Sequence, residues 1–123
     1  MRDTVAGNVL LLEYRGYGES TGTPDEVGLK IDAQTGLDYI RQRADLSDSK
    51  IVVYGQSLGG AVAINLVAKN LNHRQQEGKE QGQEDGDGNG GIAALILENT
   101  FLSIRKMIPS CVCNLTMITN LGC

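Results

Sequence analysis

Gly55-Gln56-Ser57-Leu58-Gly59 has the spacing G-x-S-x-G, which suits a serine placed for nucleophilic attack. Such a serine sits on a tight, strained turn between a strand and a helix. Glycines at Gly55 and Gly59 remove side chains that would collide across that turn, and Gly60 lets the helix pack close behind it. The Ser57 oxygen then projects from the carboxyl end of its strand, where the N-terminus of the next helix favours negative charge. The Leu58 backbone N–H is positioned as one donor to an oxyanion. Glycine and serine are common, so the pattern gains weight from its flanks, "IVVY" before it and "AVAINLVAK" after it. The competing reading is a glycine-rich strand-to-helix turn with a capping serine, as in nucleotide-binding folds. A dinucleotide loop, however, spaces its glycines G-x-G-x-x-G, and a P-loop is excluded because no Gly-Lys-Ser/Thr follows.

A serine hydroxyl is a poor nucleophile until a base takes its proton. His73 is the single histidine of the sequence. It falls at the end of the helix that follows Ser57, which carries it away at about 1.5 Å per residue. It is expected to be a solvated helix-end residue. Asp85 and Asp87 lie in a polar, glycine-rich tract and serve no better as partners.

That tract offers one further pattern. Residues 85–92, Asp-Gly-Asp-Gly-Asn-Gly-Gly-Ile, match the first eight positions of a calcium-binding loop. The twelfth position should be a bidentate glutamate and is Ile96, and the flanks are not two helices, so no calcium site is expected. Cys111 and Cys113 are too closely spaced for a zinc site without a second pair or a histidine nearby. No metal and no cofactor is expected. Asn114-Leu115-Thr116 matches a glycosylation acceptor by chance, since no secretory signal accompanies it. Arg15 and Tyr17, in "RGYGES", are expected to be structural, Arg15 tying the loop to carbonyls or acids. Glu98 and Asn99 fall at the carboxyl edge where open α/β sheets place their sites, so either could line the pocket, and a neutral role at the strand end is the expected one.

The elements that must position Ser57 follow from the hydrophobic pattern. Residues 8–14 and 50–54 form short apolar runs, each expected as a strand buried on both faces, and residues 92–97 form a third. Thr23, Pro24 and Glu26 predict a helix start with a capping box. Leu29, Ala33, Leu37 and Ile40 then recur at helical spacing, predicting a helix to about Arg43. A second helix is expected over residues 58–70. Residues 72–91 contain almost no apolar side chain and are expected to form a disordered acidic, Gly/Gln-rich insertion. After the third strand, residues 98–109 suggest a loop with a short helix, and residues 110–123 show no clear period. Strand and helix alternate, which predicts one α/β domain spanning residues 1–123 with three mostly parallel strands and flanking helices.

Composition narrows the partners. A net charge of −4 and the lack of a basic stripe argue against nucleic acid. No apolar run approaches the length of a membrane span. Three cysteines without a signal sequence suggest reduced thiols in a reducing compartment.

With these residues in view, "NVLLLEYRGYGESTGTPDEVGLKIDAQTGLDYI", "KIVVYGQSLGGAVAINLVAKN" and "ALILENTFLSIRKMIP" resemble the α/β-hydrolase superfamily. Within it they resemble the Bem (bud-emergence) type of α/β-hydrolase domain-containing protein, over residues 8–109. The resemblance implies a serine hydrolase acting on ester, thioester or amide bonds of a small or lipid-like acyl substrate, by way of an acyl-enzyme. It implies Ser57 as nucleophile and Leu58 as an oxyanion donor. It also implies that the acid, the histidine and the second oxyanion loop lie outside the 123 residues, the chain being cut short at both ends. Relatives of this type are often membrane-anchored. The strand that the family places between those matching residues 8–14 and 50–54 is missing from the sequence. Either a gap or direct pairing of the two is therefore expected, with exposed apolar edges and uncovered helix faces. The alternative function is a non-catalytic α/β fragment or interaction module.

Overall fold

The computed structural model describes residues 7–77, 91–99 and 115–119. Strand β1 (Asn8–Leu12) leads into helix α1 (Glu26–Gln42), a 3-10 turn (Ala44–Leu46), strand β2 (Ile51–Gln56), helix α2 (Leu58–Glu77), strand β3 (Ile92–Glu98) and strand β4 (Leu115–Thr119). The class is α/β, and the three expected strands run parallel. The sheet has a fourth member, in the order β1-β4-β2-β3. β4 is antiparallel to both β1 and β2, while β2 and β3 pair in parallel.

β4 corrects the sequence expectation of a gap or of direct pairing. It occupies the slot between β1 and β2 with Leu115, Met117 and Thr119 buried, a period-2 pattern in a stretch where none had been evident. The physical reason is the one that made a gap costly: β1 and β2 would otherwise leave ladder groups unpaired in the interior. Met117 stands opposite Leu10 on one side and Val53 on the other.

β1, β2 and β3 step across the sheet in one direction, so two crossovers of the same hand place both helices on one face. On that face Ile51, Val53, Leu115 and Met117 form one cluster with Leu29, Ala33, Leu37 and Ile40 of α1 and Leu58, Val62, Ala63 and Leu66 of α2. The predicted α1 stripe is therefore the buried one. The two helices are also tied by Asn70, which accepts from Arg41 (2.8 Å) and donates to Gln34 (3.1 Å).

Three features differ from the expectation. Among the described residues β1 and β3 are edge strands, not doubly buried ones: Val9 and Leu11 are exposed on β1, Ile96 and Leu97 on β3. Val27 and Ile31 are exposed on the outer side of α1, in line with the expected uncovered helix faces. The α1 cap is Asp25 instead of Thr23. Asp25 is extended (φ −141°, ψ 165°) and its carboxylate accepts the Gly28 N–H at 2.6 Å, leaving Glu26 to pair with Lys30. α2 continues through residues 72–77, none of which is a glycine or a proline. The rest of the expected insertion, residues 78–90, lies outside the described residues, as do Asp85, Asp87, Cys111, Cys113, Cys123 and the expected loop at residues 100–109. Replacing Asp25 by alanine is expected to lower stability by about 1 kcal/mol in urea unfolding, the usual cost of a lost N-cap, whereas Thr23→Ala should leave it unchanged.

Candidate active site

Ser57 stands alone between the last residue of β2 and the first of α2, with a left-handed backbone (φ 53°). A non-glycine residue in that region is uncommon and is retained where its surroundings fix it. Two backbone bonds do so. The Ser57 N–H donates to the Glu98 carbonyl at 2.9 Å, and the Ser57 carbonyl accepts from Gly60 at 3.0 Å. The first ties the turn to the end of β3, the second starts the helix. Ser57 is half-buried, and Leu58, Gly59 and Gly60 are buried behind it.

Gly55 is required by close approach. A Cβ on it would lie 2.5 Å from the Gly59 carbonyl oxygen and 2.6 Å from the Gly60 Cα, both backbone atoms. This contact across the turn is what the motif's first glycine was expected to allow. Leu58 is the first residue of α2, so its N–H is one of the helix-end amides with no partner within the helix. It stands beside the serine, at the positive end of the helix dipole.

The carboxyl edge around Ser57 holds three more polar side chains. Gln56 and Glu98 are register partners on β2 and β3. The Tyr54 hydroxyl donates to one Glu98 carboxylate oxygen, and Gln56 Nε2 donates to the other at 3.3 Å. The bond to the Glu98 carboxylate holds the Tyr54 phenol above its ordinary pKa, since the neutral form is the donor. Asn99, next in the chain, is also left-handed (φ 47°), a conformation asparagine tolerates.

The loop after β1 is anchored as expected of Arg15. Its Nε and Nη2 reach Asp32 of α1 at 2.7–3.1 Å, and its backbone N–H adds a bond of 2.9 Å to the same carboxylate. The guanidinium lies over Gly28, which has no side chain to obstruct it. Burial pushes the Asp32 carboxyl up, but its bonds to Arg15 prevail and its pKa is lowered from 3.8. A lowered folded pKa stabilises above the unfolded value and is lost as pH falls through the folded one. In acid unfolding, the stability difference between wild type and Asp32→Asn should therefore be full above about pH 5 and shrink steadily below pH 4.

His73 lies on α2, sixteen positions beyond Ser57, which is about 24 Å along the helix axis. It is not brought to the serine. Among the described residues no group of three His, Cys, Asp or Glu side chains is placed to hold a metal ion. No helix among them is long and apolar enough to cross a membrane. What sequence reasoning missed is the bond from Ser57 to Glu98. The signal available was only that Glu98 ends one strand and Ser57 follows the end of another at the same edge.

Comparison with known proteins bears on this arrangement. The chain is 52% identical over 103 residues to "Protein bem46" of Schizosaccharomyces pombe, covering 84% of this chain and 28% of that protein. It is 43% identical over 100 residues to the "Alpha/beta hydrolase domain-containing protein WAV2" of Arabidopsis thaliana, covering 81% of this chain and 27% of that one. It is 41% identical over 102 residues to the "Uncharacterized membrane protein YNL320W" of Saccharomyces cerevisiae, covering 83% and 30%. The chain thus spans under a third of the length of these relatives. No family model matches it, and no solved structure gives a significant match.

Proposed function

The chain belongs to the Bem type of α/β-hydrolase domain-containing proteins, and on that premise we propose that Ser57 is the nucleophile of a serine hydrolase. The reaction is acyl transfer from an ester, thioester or amide. The Ser57 oxygen attacks the carbonyl as its proton passes to a base, and the oxyanion of the tetrahedral intermediate takes a hydrogen bond from the Leu58 N–H; collapse of that intermediate expels the leaving group with the proton and leaves an acyl-serine that water then clears. The observation that carries this reading is the left-handed Ser57 held at a strand-to-helix turn with the Leu58 amide beside it.

Full turnover needs a base for the serine proton, and His73 is too far along α2 to supply it. In this proposal the acid, the histidine and the second oxyanion donor come from parts of the full-length protein beyond these residues. The substrate class is a small or lipid-like acyl compound. A membrane-associated full-length form belongs to the same proposal, in keeping with the name of the yeast relative.

The position of His73 favours a second reading, a non-catalytic α/β module that keeps the turn without the chemistry. One experiment separates the two. On exposure to p-nitrophenyl butyrate, the chain should release a slow burst of about one equivalent of p-nitrophenolate and retain an acyl group, with little turnover, because deacylation also needs the base. Ser57→Ala should show no burst. A burst of equal size in Ser57→Ala, or none in wild type, would favour the non-catalytic module.

A further inference from the structure

Ser57 is held from one side by a residue that the chemistry above does not use. β3 is an edge strand, paired to β2 alone among the described residues, and strand ends fray unless tied. Glu98 is its last residue, and Asn99 beyond it already turns left-handed. Yet the Glu98 carbonyl is the acceptor for the Ser57 N–H. Whatever fixes Glu98 therefore fixes the nucleophile's backbone. The Glu98 side chain lies on the sheet face away from both helices, with its register partner Gln56 and with Tyr54. Its carboxylate accepts from both of them, one oxygen each. Gln56 is the residue directly before Ser57. Glu98 thus grips the turn at two successive positions, through its side chain at Gln56 and through its carbonyl at Ser57.

We infer that Glu98 is a positioning residue: its carboxylate, held by Tyr54 and Gln56, locks the end of β3 so that its carbonyl keeps Ser57 in the left-handed conformation that presents the hydroxyl. The inference rests on the reading of Ser57 as the nucleophile. The carboxylate, engaged by Tyr54 and Gln56, is not assigned a proton-transfer role. Tyr54 faces Thr116 of β4 and Ile96 of β3 in register, neither of them charged, so its titration reports on Glu98.

The test uses the whole chain and three variants. In Glu98→Ala the Ser57 amide should exchange with deuterium about tenfold faster, while the Val53 amide, deeper in β2, stays within about twofold of wild type. Labelling of Ser57 by a fluorophosphonate probe should slow by about the same tenfold factor. Glu98→Gln still accepts a hydrogen bond from Tyr54 and should stay within about threefold of wild type in both assays. The Tyr54 phenol, assigned by its loss in Tyr54→Phe, should titrate lower in Glu98→Ala than in wild type. Unchanged Ser57 exchange in Glu98→Ala overturns the inference. So does an equal acceleration at Val53, which would mean a general loosening of the sheet, or a Gln variant as impaired as the Ala variant. A wild-type chain that does not take the probe counts against the nucleophile reading alone, because the exchange comparison still decides the role of Glu98.

Discussion

Gly55→Ala is expected to cost about 3 kcal/mol or more and to remove the reactivity of Ser57 altogether. A methyl group at this position meets backbone atoms of Gly59 and Gly60 at 2.5–2.7 Å, not the movable end of a side chain. Relief requires α2 to lift away from β2. That movement uncovers Leu58, Val62 and Leu66, all part of the buried cluster, and swings the Leu58 amide away from Ser57. Stability and site are therefore lost together. Urea unfolding measures the first and fluorophosphonate labelling the second. A variant with wild-type stability would mean that the helix does not approach the strand this closely.

The second large effect is expected at β4. Met117→Asp should cost about 4 kcal/mol or more, much of the total stability of a small domain, whereas Ile118→Asp should cost about 1 kcal/mol. Met117 is fully buried between Leu10 and Val53, beneath α1, and offers a carboxylate neither water nor a partner. Ile118, one residue on, points to the opposite face, which neither helix covers, and is half-buried. A one-residue alternation in tolerance is the signature of a strand with one covered face. Equal tolerance at the two positions would remove β4 from the sheet and restore the gap between β1 and β2. Thermal or urea midpoints of the two variants are sufficient to decide.

What could be foreseen from the chain was whatever depends on neighbours in sequence. Leu29, Ala33, Leu37 and Ile40 declare the inner face of α1 because helical periodicity is local, and all four are buried. The glycine, serine and flanking apolar runs around Ser57 declare a strand-to-helix turn for the same reason. Whether an apolar run is central or at an edge is not local. "NVLLL" and "IAALIL" look doubly buried, yet their strands end up at the two margins of the sheet with Leu11 and Ile96 exposed. β4 was hidden because its pattern is mixed. Thr119 is buried while Ile118 is only half-buried, so hydrophobicity does not alternate even though burial does. Thr23 and Asp25 both have capping side chains, and the choice between them was made by the extended backbone at Asp25. The link from Glu98 to Ser57 joins residues far apart in sequence and becomes visible once β2 and β3 are in register.

The central claim is that the Ser57 hydroxyl is presented for attack at the bend between β2 and α2. Its most direct test is to expose the chain to a fluorophosphonate, digest it, and locate the adduct by peptide mass mapping. A single phosphonyl group on the peptide bearing Ser57, absent after denaturation of the chain before exposure and absent in Ser57→Ala, is the expected result. An adduct spread over other serines, or one formed equally well on the unfolded chain, would contradict it.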